Sequence, residues 1–418
     1  MSTAPNAQRI WDHCEALARL SELDGGLTRV FLSKEQKAAN ELVLGWMVEA
    51  GMSARLDAIG NVVGRYEGAR PGLPCLMMGS HLDTVRDAGK YDGMLGVVAA
   101  IECVHALNVN AVNARARRLP FAIEIVGFAD EEGTRFNATL LGSRAVAGTF
   151  KAEVLDNVDK DGVSMREALR AFGLDPARIG AAAHRREDIL AYAELHIEQG
   201  PVLEAEGLPV GVVTAINGAT RCAVEVDGMA GHAGTVPMSL RQDALAAAAE
   251  CVLAIERRCG REPELVGTVG KLECLPGAVN VVPGKVRFTI DIRAPRDAMR
   301  LAAVDDVLGE MRAIATRRNV QLTVAKTHEG GVAACAPWLM EQIGAAIAAE
   351  GVPVRELPSG AGHDGMAIID VAPIGMLFVR CEKGISHNPA EAITLADVET
   401  SARVWLRFIE TFDPSRKP

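Results

Sequence analysis

The sequence predicts an α/β fold into which a smaller α+β domain is inserted. Short apolar runs alternate with helical patterns in residues 1–213 and again in residues 329–418, as expected of a sheet covered by helices. Between them, residues 214–328 follow the order strand, helix, strand, strand, helix, strand, which indicates a split βαβ layer. The chain of 418 residues is also longer than one core usually supports. We therefore expect one domain made of residues 1–213 plus 329–418 and an inserted domain of residues 214–328.

The larger predicted domain opens with two helices, over residues 7–23 and 35–50, where apolar residues recur at helical spacing. A further helix is expected from about Gly96 to Leu107. Residues 150–190 are polar and mixed in character, so we expect a peripheral insertion there. Apolar runs predict the strands SARLDAI, NVVGRY, CLMMGS, PFAIEIVGFA and AYAEL, and later VPVREL and PIGMLFVR before a last helix over residues 395–412.

The inserted domain is expected to carry its helices on one face of its strands. After Gly200 the pattern changes, and VGVVTAI leads from the first domain into the second. Predicted strands are RCAVEVDG, KVRFTIDIR and NVQLTVAK, and predicted helices are SLRQDALAAAAECVLAIERRC and residues 296–317.

Composition narrows the class of protein. A net charge of -10 and an aromatic content of 4% give no basic stripe and few stacking platforms, which argues against a nucleic-acid partner. The nine cysteines are odd in number, scattered and without a CxxC pair, as in a reduced cytoplasmic protein. The first 20 residues lack a signal-peptide pattern, and no uninterrupted apolar run reaches membrane-spanning length. We therefore expect a cytoplasmic protein without a membrane partner.

The most informative stretch is PCLMMGSHLDTVRDAGKYDGMLG, residues 74–96. A buried strand leads into His81, Asp83 and Asp92 at the point where strand becomes loop. His81 and Asp83 alternate along an extended segment and so share one side of it. One carboxylate could bind a metal ion while another orients the histidine through its second ring nitrogen. Taken alone, the same residues also fit a solvated loop with one satisfied histidine.

Other predicted strands end in residues of the same kind. Glu131 and Glu132 follow PFAIEIVGFA, His196 follows AYAEL, and His387 comes after PIGMLFVR. In open α/β sheets the ligand crevice lies at the carboxyl ends of the strands, so these residues could converge. The set His81, Asp92, Glu132, His196 and His387 suits two divalent ions that share a carboxylate. Glu131 would then be free to act as a base, although an acidic pair after a strand is often only solvated.

These residues lie in an ordered series of motifs: GGLTR, GSHLDTV, KYDG, DEEGTRF, GSRAVAG, ELHIEQGPVLE, GHAGTVPM, NVVPG, SGAGHDGM and SHNPAE. In this the chain resembles the hydantoinase/carbamoylase branch of the metal-dependent amidohydrolases, which are related to dinuclear carboxypeptidases, aminopeptidases and aminoacylases. The branch includes allantoate amidohydrolases, N-carbamoyl-L-amino acid hydrolases and β-ureidopropionases. The resemblance covers nearly the full length, from residue 25 to residue 391.

The resemblance implies a role for each motif residue. His81, Asp92 and His196 would hold one metal ion, and Asp92, Glu132 and His387 the other. Glu131 would be the general base, with Asp83 behind His81. Residues that would contact the substrate or line the active site are Gln199, Arg221, His232, Asn280, Arg293, Gly360 and His363. One departure is Ala219 after Gly218, where family members often have glutamine.

The resemblance also implies a reaction. We expect hydrolysis of the ureido (carbamoyl) amide of a small carboxylate, with allantoate ranked before N-carbamoyl-L-amino acids and release of ammonia and carbon dioxide. The metal could be zinc, manganese, cobalt or nickel, since imidazole and carboxylate suit all four. Residues 214–328 would form a lid and dimerisation domain of a homodimer, with His232 as the donor to the reaction's oxyanion.

Two alternatives remain open at this stage. The first is an aminoacylase-like hydrolase of N-acyl amino acids. The second is a nucleotide-binding protein without a metal, because Gly360 to Gly365 fit the pattern GxGxxG and Glu382 lies near the distance of a ribose-binding acid. A serine hydrolase is disfavoured because the sequence has no G-x-S-x-G turn.

Overall fold

The structure is a computed structural model that describes residues 4–114 and 118–417. These residues divide into two compact units. The larger unit contains the described residues up to Thr214, Cys335–Leu357 and the described residues from Ala361 onward. The smaller unit contains Ala215–Ala334 and Pro358–Gly360.

The described chain forms helices and strands in the following order. The helices are α1 (Ala7–Ala18), α2 (Lys34–Glu49), α3 (Met94–Ala114), α4 (Leu141–Val146), α5 (Met165–Phe172), α6 (Val202–Glu206), α7 (Ala244–Cys259), α8 (Asp297–Arg318), α9 (Pro337–Ala349), α10 (Gly365–Ile368) and α11 (Leu395–Thr411). The strands are β1 (Ser53–Leu56), β2 (Val62–Tyr66), β3 (Cys75–His81), β4 (Ala122–Phe128), β5 (Ile189–Ile197), β6 (Val210–Ile216), β7 (Gly218–Asp227), β8 (Gly231–His232), β9 (Val266–Thr268), β10 (Leu272–Leu275), β11 (Val281–Val282), β12 (Lys285–Ala294), β13 (Gln321–Gly330), β14 (Ala333–Ala334), β15 (Glu356–Ser359) and β16 (Ile374–Val379).

The larger unit is built on a mixed sheet with the order β1-β2-β4-β3-β5-β16-β6. Its central strands β4, β3, β5 and β16 run parallel, while β1, β2 and β6 pair antiparallel with their neighbours. Every residue of β3, β4 and β16 is buried, as expected of strands covered on both faces. The predicted α/β fold is therefore confirmed, and the parallel strands deliver their carboxyl ends to one edge of the sheet.

Helix α1 ends at Ala18, five residues before the predicted end. The reason is the buried Arg29, whose guanidinium donates to the carbonyl oxygens of Leu17 and Leu20 at 2.6 and 3.1 Å. The Leu17 carbonyl also accepts the backbone N–H of Leu20, and the arginine supplies a further donor where the helix runs out of its own donors. The same guanidinium donates to the carbonyl oxygen of Leu82 at 2.9 Å, which ties the end of α1 to the residue that follows β3.

Helix α3 packs on the parallel strands and is longer than predicted. Residues Met94–Val112 are long and apolar enough to cross a membrane by length and composition, but 61% of this window is buried inside the protein. Its side chains belong to the main hydrophobic core together with those of α1, α9 and α11. Such a helix is typical of the core of a globular unit, where burial of apolar area supplies most of the stability.

Residues 150–190 hold more structure than a polar insertion. Helix α5 begins at a capping box formed by Ser164 and Glu167 and ends at Gly173, whose φ of 102° suits glycine. Its apolar face is buried in a separate small core with Phe136 and Leu155. The polar composition belongs to the outer surface, while widely spaced apolar residues form this core.

The smaller unit is an antiparallel sheet with the order β10-β12-β7-β13, and β9 also pairs with β12. Helices α7 and α8 pack their apolar residues against the buried positions of β7 and β12. Alternate residues of β12 are buried, which is the pattern of a sheet covered on one face. The sequence analysis missed β9 and β10 because they are only three and four residues long and mostly exposed.

Candidate metal centre

The parallel strands β3, β4 and β5 bring their carboxyl ends to one polar cluster. His81 is the last residue of β3, and His196 lies one residue before the end of β5. The Nε2 atoms of His196 and His81 lie 3.1 and 3.5 Å from Oδ1 of Asp92, which follows β3 in a loop. All three side chains are buried. The structure thus assembles His81, Asp92 and His196 into a group with the geometry to hold a metal ion.

A second group uses the other oxygen of Asp92. His387 Nε2 lies 3.1 Å from Asp92 Oδ2 and 3.5 Å from Glu132 Oε1. Glu132 follows β4, and His387 lies in a turn after β16 with a left-handed φ of 54°. Asp92, Glu132 and His387 therefore form a neighbouring group whose ligand atoms lie within 4.8 Å of one another. Asp92 stands between the two groups and presents one oxygen to each.

Asp83 differs in detail from the sequence prediction. His81 Nδ1 lies 3.0 Å from the backbone carbonyl oxygen of Asp83 and 3.6 Å from its carboxylate. The carbonyl, rather than the carboxylate, therefore receives the Nδ1 proton, because strand β3 ends at His81 and the chain turns there. The carboxylate of Asp83 instead accepts the backbone N–H groups of Glu131 and Glu132 at 2.9 and 3.2 Å. The Asp83 carboxylate therefore holds the backbone of Glu131 and Glu132 in place. The sequence alone did not indicate this role.

The surroundings shift the pKa values of three carboxyl groups in this cluster. Although burial opposes it, contacts with His196, His387 and His81 hold the pKa of Asp92 well below its usual range. Burial raises the pKa of Glu132 to about 7, and Asp92 also raises it. Burial likewise raises the pKa of Glu131 well above its usual range. Several carboxyl groups at this spacing favour a cation among them.

The donors fit a divalent metal ion. Imidazole nitrogens and carboxylate oxygens are ligands that zinc, manganese, cobalt and nickel accept. Among the described residues, the buried Nε2 of His196 has no hydrogen-bond partner with suitable geometry, although Asp92 lies 3.1 Å away. A buried nitrogen in this state is costly unless a ligand takes its lone pair. The metal identity remains a prediction.

Gln199 donates a hydrogen bond to the carboxylate of Asp92. Its Nε2 donates to Asp92 Oδ2 at 3.0 Å and to Ser386 Oγ at 3.1 Å, and its backbone φ is 56°. Its donor group is thus directed at the cluster. The Glu391 carboxylate accepts the backbone N–H groups of Tyr91 and Asp92, a role the sequence analysis missed. The signal was available, because Ser386 and Glu391 begin and end the motif SHNPAE.

His363 lies beside the metal-ligand candidate His196 and is buried. It is 1% exposed, and its ring lies 4.4 Å from the ring of His196 in an edge-to-face arrangement. Burial, and then the neighbouring His196, hold the pKa of His363 well below its usual range. The role of His363 in substrate binding stays a prediction, and in this structure its ring packs edge-to-face on that of His196.

The predicted residues of the smaller unit form a different pattern. Arg221 Nε donates to Asp291 Oδ2 at 3.0 Å, and Arg293 makes bonds of 3.0 and 2.8 Å to the two oxygens of Asp291. Arg293 also donates to the carbonyl oxygen of Gly360 at 2.7 Å. Arg221 lies within β7 opposite Asp291 and does not begin the strand. Both guanidinium groups therefore already have a carboxylate partner, which the sequence did not reveal.

His232 and Asn280 are exposed in the smaller unit. They lie on the short antiparallel pair β8 and β11 or directly beside it, and the N–H of Ala233 donates to the carbonyl oxygen of Asn280. The N–H of Gly234 donates to His232 Nδ1 at 3.1 Å. An Nδ1 that accepts a proton donor leaves the imidazole proton on Nε2.

The loop with the GxGxxG pattern lacks the helix that dinucleotide binding needs. Helix α10, which begins at Gly365, has only four residues and ends before the turn at Pro373. A Rossmann site places the pyrophosphate on the N-terminus of a developed helix. The structure therefore gives the nucleotide-binding alternative no support.

Comparison with known proteins agrees with this geometry. Residues 77–411 match the model of the peptidase family M20/M25/M40. The chain is 41% identical to an N-carbamoyl-L-amino acid amidohydrolase of Geobacillus stearothermophilus, over 95% of this chain and 96% of that protein. It is also 41% identical to allantoate deiminase 1 of Glycine max, over 95% of this chain and 89% of that protein.

A solved structure extends the comparison to the fold. The hydantoinase/carbamoylase family amidase of Burkholderia multivorans superposes with a TM-score of 0.91 at 32% identity, covering 100% of this chain and 99% of that one. The similarity in sequence thus covers 95% of this chain, and the similarity in fold covers all of it. The chain belongs to the peptidase family M20/M25/M40, among its hydantoinase/carbamoylase amidases, and is a hydrolase of carbon–nitrogen amide bonds.

Proposed function

We propose that this enzyme hydrolyses the ureido amide of a small carboxylate and releases ammonia and carbon dioxide. The observation that carries the proposal is Asp92, whose two oxygens face His196 and His387 at 3.1 Å each. Relatives named for N-carbamoyl-L-amino acids and for allantoate, both ureido carboxylates, support the substrate class. We rank allantoate first and N-carbamoyl-L-amino acids second.

In this proposal His81, His196 and Asp92 would hold one divalent ion, and Asp92, Glu132 and His387 would hold the other. When bound, such ions lower the pKa of water and polarise the carbonyl that is attacked. The chain's part is to fix their ligands. The Asp83 carbonyl orients His81 through Nδ1, and the Ile197 carbonyl oxygen, 2.9 Å from His196 Nδ1, orients His196.

Glu131 is the general base. Its carboxylate lies within 4.8 Å of ligand atoms of His81 and Glu132, and Asp83 anchors its backbone N–H. Burial raises its pKa, so the carboxylate takes up a proton more readily than an exposed glutamate. It accepts a proton from the attacking water and returns this proton to the departing nitrogen.

His232 is the donor to the tetrahedral oxyanion. Because the Gly234 N–H occupies Nδ1, the proton resides on Nε2, which can donate. An oxyanion needs such a donor aimed at the charge that develops in the transition state.

Arg293 binds the substrate carboxylate, with Arg221 and Asn280 nearby in the smaller unit. A planar guanidinium can donate two parallel hydrogen bonds to a carboxylate, which lysine cannot reproduce. Here Asp291 occupies this fork, so a substrate must share it or displace Asp291. Ala219 pairs with Arg293 across β7 and β12, and we propose that its small side chain admits a bulkier substrate than glutamine would.

The smaller unit is proposed to be a lid and the dimerisation domain of a homodimer. Met229, Met238, Leu240 and Val279 are highly exposed in the segments around His232 and Asn280. Exposed apolar side chains at this density suit burial against another chain. Light scattering at working concentration should give twice the chain mass, and a fully active monomer would contradict the proposal.

A parallel assay of ammonia or acid release tests the substrate class. Allantoate, N-carbamoyl-L-amino acids, N-carbamoyl-β-alanine and N-acetyl amino acids should be compared under identical conditions. We expect turnover of at least one ureido acid and none of its carboxamide analogue. Preference for the N-acetyl compounds would assign the enzyme to the aminoacylase class instead.

A further inference from the structure

A buried carboxylate outside the proposed ligand set joins the two segments that carry Asp92 and His387. Glu391 is 4% exposed. Its Oε1 accepts the backbone N–H groups of Tyr91 and Asp92 at 2.8 and 3.2 Å. Its Oε2 accepts the hydroxyl of Ser386, which precedes His387, at 2.9 Å. Glu391 therefore contacts both segments directly.

The hydroxyl of Ser386 has two acceptors and one proton. Its Oγ lies 2.9 Å from Glu391 Oε2 and 3.2 Å from Asp92 Oδ2. Gln199 Nε2, at 3.1 Å, fills one lone pair of the same oxygen. A hydroxyl donates only once, so a proton given to Glu391 is not given to Asp92.

The fit around Glu391 is tight. A Cβ atom on Gly89 would lie 2.2 Å from the carboxyl carbon of Glu391 and 2.3 Å from Oε1. Only glycine allows the loop to approach so closely, because any side chain would collide with the carboxylate. The loop that carries Asp92 is thus packed directly on Glu391.

We propose that Glu391 is a positioning residue that accepts the Ser386 proton, so that Asp92 Oδ2 keeps a free lone pair for a cation. This inference rests on the proposed function, because it takes Asp92 and His387 as metal ligands. Removing the acceptor turns the Ser386 hydroxyl toward Asp92, where it competes with the ion bound beside His387. Partners of ligating carboxylates typically change metal affinity by about 10- to 100-fold when mutated.

Glu391→Gln is the most informative substitution for testing this role. Its amide oxygen can still accept the N–H groups of Tyr91 and Asp92, but its amide nitrogen is a donor and cannot accept the Ser386 proton. Adding Ser386→Ala removes the competing proton. The double variant should therefore bind metal better than Glu391→Gln alone, whereas a purely structural role for Glu391 predicts that the second change adds to the damage.

The experiment is a calorimetric titration of chelator-treated full-length protein with Mn²⁺. We expect wild type and the control Glu382→Gln, an exposed glutamate of the same segment, to bind two ions per chain. Glu391→Gln should bind the more weakly held ion with an affinity about tenfold or more below that of wild type. The affinity of the double variant should be at least about threefold higher than that of Glu391→Gln. Gly89→Ala, which keeps every side chain of the network but displaces Glu391, should reproduce the loss.

Two outcomes overturn the inference and one overturns its basis. Wild-type affinity in both Glu391→Gln and Gly89→Ala would show that Glu391 does not support the site. If the double variant binds metal no more tightly than Glu391→Gln, the proposed competition of the Ser386 hydroxyl for Asp92 is ruled out. Wild type that binds fewer than two ions would overturn the ligand assignment itself, and the inference with it.

Discussion

Two carboxylates, the buried Asp92 in the larger unit and the half-buried Asp291 in the smaller one, are surrounded by opposite kinds of partner. Asp92 faces histidines, which are neutral or charged according to their surroundings. Asp291 faces Arg221 and Arg293, whose charge is permanent. For both groups burial opposes ionisation, and the neighbours nevertheless hold the pKa low.

The difference explains what each place can bind. A carboxylate among imidazoles is neutralised only when they are protonated or when a cation arrives, so the Asp92 cluster suits an external metal ion. The Asp291 cluster is already compensated by its arginines. An external carboxylate can bind there only by sharing or exchanging that partner, which makes Asp291 a competitor of the substrate.

The largest expected effect is on catalysis at Glu131. Glu131→Gln should lower kcat by about two to four powers of ten, because the base is lost while the ligand set stays. Metal content by elemental analysis should remain that of wild type. Glu132→Gln should instead lower the binding affinity for one of the two ions. Equal metal loss in both variants would show that base and ligand are assigned the wrong way round.

Replacing each of the two aspartates by asparagine tests the difference between the two clusters most directly. Asp92→Asn should lose both ions, since it supplies an oxygen to each group. Asp291→Asn should keep both ions and lower KM for ureido carboxylates, because the internal competitor of Arg293 is removed. Metal analysis and steady-state kinetics of the two variants measure this. An Asp291→Asn enzyme with an unchanged or higher KM would mean that Asp291 orients Arg293 and does not compete.

Arg293→Lys should cost about 2 kcal/mol in kcat/KM, because lysine cannot replace the bidentate fork. Arg221→Lys is the matched control: Arg221 bonds to Asp291 through one nitrogen only and should lose much less. Kinetics of both variants with one ureido acid measure the difference. Equal losses would remove the special role of Arg293.

The ion pair of His184 with the buried Glu124 gives a smaller, purely structural effect. His184 Nε2 lies 2.6 Å from Glu124 Oε1. Although burial opposes both shifts, the pair raises the pKa of His184 above 6.5 and lowers that of Glu124 below 4.5. The stability from His184 is complete below pH 6.5 and is lost as pH rises through its folded pKa. The stability from Glu124 is complete above pH 4.5 and is lost as pH falls through its folded pKa.

The pair therefore stabilises most between about pH 4.5 and 6.5. His184→Ala should lower the free energy of unfolding by about 1 to 3 kcal/mol in that window and by less at pH 8. Denaturant unfolding at the two pH values measures this. The loss should be the same with and without chelator, in contrast to variants of Asp92. A loss that grows toward pH 8 would contradict the sign of the linkage.

The sequence was sufficient for those parts of the site that follow strand ends. The apolar run from Cys75 to Met78 leads directly to His81, so β3 and the position of His81 could be predicted. The partners of Asp83 and Arg293 could not, because they depend on contacts between residues about 48 and 67 positions apart. Asp291 is two residues from Arg293, but only the β7 and β12 register aligns it with Arg221.

The central claim is a pair of metal ions that share the Asp92 carboxylate. Electron paramagnetic resonance of chelator-treated protein titrated with Mn²⁺ tests it most directly, because ions bridged by one carboxylate are magnetically coupled. We predict about two ions per chain, a coupled spectrum, and recovery of the amidase activity abolished by chelation. A single uncoupled ion per chain, or full activity in metal-free protein, would contradict the account.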